Sequence, residues 1–271
     1  MSWGTLNVYY SKNKLSFKDN GSYESRSKSM IEEAWKLYPP SNTETKEILI
    51  HLEDGYSERA DFSYAIMCSK DIHKCLPHFI FDAWPEIGIS DYQTTFNQIL
   101  DASLRPIENN RVFWIGANTN KLRVSACELT KEYPNLVDFR MMNWNRKDPS
   151  ALYKHTSEYV SLVDHCKYRV LIDLGAGGFS ARLPLLFASG RPLILVDRKF
   201  ESWFYWNNTL VEWVHYIPGG STKENVLKAI QWTFEHPQEA IEIGIRGQEY
   251  AKQYLTHDAA IKHCAKTIWN V

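Results

Sequence analysis

The sequence predicts an α/β protein whose second part is built on a parallel, doubly wound sheet. Three observations carry this. From about residue 111 apolar strand-like runs alternate with helical patterns. The run "VLIDL" at 170–174 leads into the Gly-rich step Gly175–Gly178. The stretch "RPIENN" at 105–110 breaks the pattern and marks a boundary near Pro106. With 271 residues the chain holds one large domain or two small ones, at ~100–200 residues per domain. The expected division is an α/β domain over 1–106, a second α/β domain over 107–255 and a helix over 256–271 packing back on the first domain. Two α/β units facing a cleft are expected.

In chain order, "LNVYYS" reads as a strand. "SKSMIEEAWKLYPP" reads as a helix capped by Ser27 or Ser29 and stopped by Pro39–Pro40. "EILIHLED" and "FSYAIMCS" are strand candidates, and "DYQTTFNQILDASL" is helical. After the break come the strand "RVFWIGA", the helix "KLRVSACELTKEY" with an apolar stripe at Leu122, Ala126 and Leu129, and the strand "LVDFRM". A short helix or turn "YVSLVDHC", the strand "YRVLIDL", the helix "SARLPLLFAS" and the strand "PLILVD" follow. "VEWVHYIP" is the last expected strand. Three helices close the chain, beginning near Thr222, Pro237 and His257.

Composition excludes several classes. Thirty-one basic against 32 acidic residues leave a net charge of −1, which gives no electrostatic footprint for nucleic acid or an anionic membrane. No apolar run reaches the ~18 residues of a membrane helix, and "MSWGTLNVYYSKNKLSF" lacks the apolar core of a secretory signal. A soluble, cytoplasmic protein without membrane insertion is expected. Five cysteines without a paired framework point to free thiols. Ten Trp and 15 Tyr suit either a rich aromatic core or the stacking of sugar rings. The cluster Cys68, His73, Cys75 and His78 fits no zinc spacing, and neither a nucleophile elbow nor a phosphate-binding Gly-Lys-Ser/Thr loop is present.

The loop after "VLIDL" is expected to hold an anion. Backbone N–H groups at a helix start, approached closely through Gly175, Gly177 and Gly178, suit one, and Arg182 adds a fork of donors. Two ligands fit such a loop. One is S-adenosylmethionine, with Asp197 on a ribose; the other is a nucleotide-sugar diphosphate. The few residues after the loop and the nearby arginine favour the diphosphate.

The flanks sharpen this. Lys167–Tyr168, Ser180-Ala181-Arg182, Ala188-Ser189-Gly190 and Trp213-Val214-His215-Tyr216-Ile217-Pro218 together resemble the signature of glycosyltransferase family 90. That family includes protein O-glucosyltransferases and capsule-associated xylosyltransferases. "VFWIGANTNKLR" resembles a further family element through Gly116 and Arg123. The family's Arg and Ser of that element are Ile115 and Ala117 here. "ILIHLEDGYSE" resembles the strand that ends in the family's catalytic Asp, which maps onto Asp54.

The resemblance implies a GT-B-type arrangement of two Rossmann-like domains in a minimal version, as from a microbe or a large virus. It implies inverting transfer from a UDP-sugar, xylose before glucose, to a hydroxyl of a glycan or glycoprotein acceptor. Asp54 is the implied catalytic base, with Glu53 facing the other way. The donor would be held by Gly116, Ala117, Arg123 and the loop Gly177, Gly178, Phe179, Ser180, Ala181 and Arg182. No Asp-x-Asp occurs, so metal-independent transfer without a cofactor is expected. Asp138 or Phe139 is a candidate for nucleoside contact, and "ESWFYW" for either stacking or core packing. The competing readings are an S-adenosylmethionine-dependent methyltransferase and an inactive sugar-binding relative.

Overall fold

The computed structural model describes residues 4–19, 24–52, 61–66, 69–142, 159–175, 180–198, 200–204 and 209–271. The chain divides into two compact units. The first comprises Met1–Thr94, Lys199–Thr209 and Gln253–Val271, and the second Thr95–Arg198 and Leu210–Lys252.

The second unit carries the parallel sheet. Its strands are β5 (Asn109–Ala117), β6 (Val137–Met142), β7 (Tyr168–Asp173), β8 (Leu193–Leu195) and β9 (Ile217–Pro218), in spatial order β6-β5-β7-β8-β9 and all parallel. The middles of β5, β7 and β8, at residues 112–115, 170–172 and 193–195, are continuous apolar runs because a parallel sheet is covered on both faces. Val112, Trp114, Val170, Ile172 and Ile194 share a core with α3 (Lys121–Glu132), α5 (Lys223–Glu235) and α6 (Pro237–Tyr254). Gly244 lets α6 lie against the strand-joining backbone: a Cβ there would stand 2.6 Å from the Gly190 carbonyl oxygen. Lys223 ties α5 to α3 through Glu128 at 2.8 Å and Glu132 at 3.0 Å.

The first unit is built differently. Its sheet has the order β2-β1-β3-β4, formed by β1 (Thr5–Ser11), β2 (Lys14–Asp19), β3 (Lys46–His51) and β4 (Tyr64–Ala65). β1 is antiparallel to both β2 and β3, and only β4 is parallel to its neighbour. The expectation of two Rossmann-like sheets therefore needs correcting here: this sheet is mixed. The sequence reading missed β2, whose "KLSFKD" carries three charged residues on a sheet edge. Around the sheet lie α1 (Glu24–Leu37) and α7 (His257–Trp269); α2 (Tyr92–Ser103) belongs mainly to the second unit, which begins at Thr95. Trp269 Nε1 donates to the Tyr38 carbonyl at 2.6 Å, and the Tyr10 hydroxyl donates to the Ile268 carbonyl at 3.0 Å.

Three local expectations also change. α1 begins at Glu24, ahead of both proposed caps: Ser27 is buried inside the helix, and the Ser29 hydroxyl donates to Asp82. "VEWVHYIP" is strand only at Ile217–Pro218. The residues before it turn, with Trp213 at φ 60°, closed by Trp213 N–H to the Tyr216 carbonyl at 2.8 Å. The helix expected from Ser180 is α4 (Leu183–Ala188), six residues with Pro184 in its first turn.

Candidate functional site

The order β6-β5-β7-β8-β9 reverses direction at β5 and β7: the chain leaves β5 toward β6 and β7 toward β8. In open α/β sheets the crevice at the carboxyl ends of such a strand pair is where ligands bind. Here those ends are Gly116–Ala117 and Asp173–Gly175.

Arg123 spans them. Asn120 caps α3, its side-chain oxygen accepting from Arg123 N–H at 2.9 Å, and its amide donates to the Leu174 carbonyl at 3.2 Å. This sets the first turn of α3 against the β7 end. From there the Arg123 guanidinium donates to the Ala117 carbonyl at 2.9 Å and to the Gly175 carbonyl. Only 6% of Arg123 is exposed. Burial lowers its pKa to about 10, an effect that Asp173 opposes and Arg182 reinforces, so the group remains a cation at neutral pH.

Arg182 stands just before α4 and donates through Nη1 to the Ile115 carbonyl. The residue keeps some solvent access while protein atoms crowd its guanidinium, and burial lowers its pKa against the pull of Asp173. Both guanidiniums lie near the Trp114 ring, 5.2 Å and 6.0 Å from its centroid. Gly116 makes room for that ring: a Cβ there would stand 2.7 Å from Trp114 Cζ2. Ile115 and Ala117, which replace the family's Arg and Ser, thus contribute their carbonyls to the two arginines; the Ile115 side chain is buried.

Ser180 and Ala181 are buried beside Arg182. Gly177, Gly178 and Phe179 lie outside the described residues, as do Glu53 and Asp54. The structure thus brings Gly116, Ala117, Arg123, Ser180, Ala181 and Arg182 into one unit at one sheet end. With α4 only six residues long, the arginines rather than a helix dipole carry the positive charge there.

Asp173 is the carboxylate of this cluster. Its Oδ1 accepts from Gly175 N–H at 2.7 Å, in a turn where Gly175 has φ 66°. Its Oδ2 is buried and has no hydrogen-bond partner among the described residues. His165 Nδ1 faces the Ser161 carbonyl at 2.7 Å. Burial, with the nearby charge of Arg182, pushes the His165 pKa down to about 3, so the ring is neutral near pH 7.

Other candidates have structural places. Asp138 is the second residue of β6, at the amino end of its strand, and is held by Arg111 at 3.0 Å, Arg140 at 2.9 Å and the Tyr168 hydroxyl at 3.0 Å. Burial works to raise its pKa, but hydrogen bonds and charge from these partners outweigh that and lower it. Phe139 is in the core. Trp203 and Phe204 of "ESWFYW" are buried in the first unit, Trp203 packing edge-on to Phe81 at 5.1 Å; Tyr205 and Trp206 lie outside the described residues. Asp197, the ribose candidate of the methyltransferase reading, accepts from the Ser221 hydroxyl. Cys75, Cys127, Cys166 and Cys264 are buried free thiols, and among the described residues no three metal-ligating side chains converge. A cavity of about 510 Å³ opens beside Asn110, Arg169, Pro192, Pro237 and Ile241, at the amino ends of the strands, the opposite edge from the arginines.

Sequence reasoning missed Trp114, Asn120 and Asp173. Asn120 carries the ordinary signal of a helix start, an Asn just before the first helical residue. Asp173 is visible as a carboxylate ending an apolar strand, but its neighbours are set by tertiary structure. Trp114 reads as one more core residue.

The model of the family described as Glycosyl transferase family 90 matches residues 62–268. The chain belongs to glycosyltransferase family 90. This removes the methyltransferase alternative for the Gly-rich step. Asp54 precedes the matched segment. Protein O-glucosyltransferase 2 of Danio rerio is 32% identical over 151 residues, 55% of this chain and 30% of that protein. Protein O-glucosyltransferase 1 of Homo sapiens is 31% identical over 155 residues, 56% of this chain and 38% of that protein. An O-glucosyltransferase rumi homolog of Aedes aegypti is 31% identical over 149 residues, covering 54% and 37%. The matches span about a third of these relatives' own length. Among the described residues no helix is long and apolar enough to cross a membrane.

Proposed function

We propose that this chain transfers a sugar from a UDP-sugar to a hydroxyl of a glycan or glycoprotein acceptor, by an inverting, metal-independent route. The observation that carries the reading is the pair of arginines at the carboxyl ends of β5 and β7. A nucleoside diphosphate leaves with growing negative charge, and fixed cations near it stabilise the transition state. Arg182 and the loop 177–181 are assigned to the diphosphate. Arg123 fixes the two strand ends against each other and adds its charge from behind. The arginines take the place that a divalent cation holds in other sugar transferases. Asp54 removes the proton from the acceptor hydroxyl as the new bond forms. A GT-B-type pairing of domains belongs to this proposal.

For the donor, this reading prefers glucose to xylose, reversing the order from the sequence alone, because similar proteins are known as O-glucosyltransferases. The two differ by one hydroxymethyl group, which an apolar pocket reads as ~1–3 kcal/mol and a pocket that hydrogen-bonds the hydroxyl reads as more. The test is transfer from UDP-glucose and UDP-xylose, separately, to a panel of glycan and glycoprotein acceptors, with and without chelator. Sugar transfer that survives chelator is expected. Hydrolysis or transfer that stops on chelation and returns with a divalent cation contradicts the metal-free route. UDP-sugar binding with no transfer to any acceptor favours the sugar-binding relative, for which the Ile115 and Ala117 replacements speak.

A further inference from the structure

We propose that Asp173 is a positioning residue for the arginine pair: its carboxylate fixes the Gly175 turn to which Arg123 bonds, and its charge is the resident counter-ion that a bound diphosphate comes to share. The proposal rests on the donor-site reading above and adds to it the residue that sets how tightly the site holds an anion.

The geometry forms a chain of contacts. Asp173 Oδ1 holds Gly175 N–H, the Gly175 carbonyl holds Arg123, and Arg123 holds Ala117 at the end of β5. The carboxylate thereby acts on the arginine through the turn. Gly175 has φ 66°, so the turn depends on a conformation that few other residues adopt.

The charges point the same way. Two guanidiniums stand near one indole ring, and beyond the effect of burial the charge of Arg182 helps lower the Arg123 pKa. Asp173, 1% exposed, attracts both of them. A carboxylate buried this deeply is costly unless cations compensate it. One of its oxygens nevertheless lacks a hydrogen-bond donor among the described residues. An acid retained there in spite of that cost acts through its field. The cluster of two arginines and one aspartate has net charge +1. A diphosphate therefore meets two cations already partly neutralised by Asp173. Asp173 keeps the empty site together, and it also weakens anion binding.

The test is Asp173→Asn, which keeps an oxygen to accept from Gly175 N–H and removes the charge. UDP binding is measured by calorimetry at several salt concentrations for the wild-type and variant proteins. The variant is expected to bind UDP about 3–10-fold more tightly at low salt, from one less negative charge near the ligand. Its affinity is expected to fall more steeply as salt rises. A purely structural role predicts weaker binding instead. If the variant does not fold alone, inorganic pyrophosphate added during refolding is expected to restore it, because a second anion replaces the missing one. Equal or weaker UDP affinity in a folded variant, or failure of pyrophosphate to restore an unfolded one, overturns the proposal alone. No UDP binding by the wild-type protein defeats the donor-site reading and this proposal with it.

Discussion

The two sheets of this protein follow different rules. In the parallel sheet of the second unit, β5, β7 and β8 are covered on both faces, and charged groups gather at strand ends. In the mixed sheet of the first unit, β1 alternates buried and partly exposed residues and pairs antiparallel with the charged edge strand β2. The difference shows how topology locates chemistry. A doubly wound parallel sheet creates a crevice where its connections diverge, and Arg123, Arg182 and Asp173 all stand there. A mixed sheet begun by a hairpin has no such point fixed by its order alone. The acceptor-side assignment accordingly rests on Asp54 and on sequence resemblance.

The strongest way to break this division of labour is Asp54→Asn. If the first unit supplies the base and the second the donor site, transfer falls by about 10²–10⁴-fold, the usual contribution of a general base. UDP affinity, measured by calorimetry, stays within about twofold, since the donor contacts assigned here are all in the second unit. A normal transfer rate removes Asp54 from the mechanism.

Within the second unit the two arginines are expected to fail differently. Arg123→Ala leaves the Ala117 and Gly175 carbonyls without their donor, at about 1–3 kcal/mol for each buried group left unpaired. Denaturant unfolding is expected to show that loss. Arg182→Ala is expected to weaken UDP binding by about 10–100-fold, the equivalent of one charged hydrogen bond or ion pair, with a smaller change in stability. Equal effects of both variants on stability and binding would erase the distinction between clamp and ligand contact.

Gly244→Ala tests packing without touching the site. A methyl group would meet backbone atoms of Gly190, Arg191 and Pro192 at 2.6–2.8 Å, so a loss of about 1–3 kcal/mol is expected from overpacking. The folded fraction should bind UDP normally.

The smallest expected effect separates the units by pH. His257 of the first unit has its pKa raised: burial disfavours the charged ring, but the Phe81 carbonyl, Glu33 and Asp82 outweigh it. Asp91 nearby is held below the usual carboxylate range mainly by hydrogen bonds from Thr94, with a smaller pull from His257. Because the folded pKa exceeds the unfolded one, this contribution is complete below the unfolded value of about 6.5 and fades as pH rises through the folded value. His165 of the second unit behaves oppositely. Its pKa of about 3 gives stability that is present above about 6.5 and is lost as pH falls. His257→Gln is expected to flatten the pH dependence of melting on the alkaline side only. A change confined to acid pH would contradict the assignment.

Much of the second unit was legible in the sequence because a parallel sheet writes itself in apolar runs separated by helix periodicity. "RVFWIGA", "LVDFRM", "YRVLIDL" and "PLILVD" each became a strand. Local rules failed where tertiary contacts decide. β2 looks like a charged loop until it pairs with β1, and Ser27 looks like a cap until α1 extends past it. "VEWVHYIP" has strand composition, yet most of it turns before β9. The motif residues Gly116, Arg123, Ser180 and Arg182 were found by resemblance, and the structure gathers them at one sheet end. Trp114 and Asp173 escaped because a ring near two guanidiniums and a buried carboxylate beside them are properties of the folded chain.

The measurement that tests the account most directly is the melting temperature of the wild-type protein and Arg182→Ala with UDP, UDP-glucose, UDP-xylose, GDP and S-adenosylmethionine. A ligand that binds only the native state raises it, by about 2.7 kcal/mol of stabilisation at a hundred times the dissociation constant. A rise with UDP and at least one UDP-sugar, largely lost in Arg182→Ala, is expected. No rise with any uridine ligand, or a rise that Arg182→Ala leaves unchanged, would contradict a diphosphate site at the ends of β5 and β7.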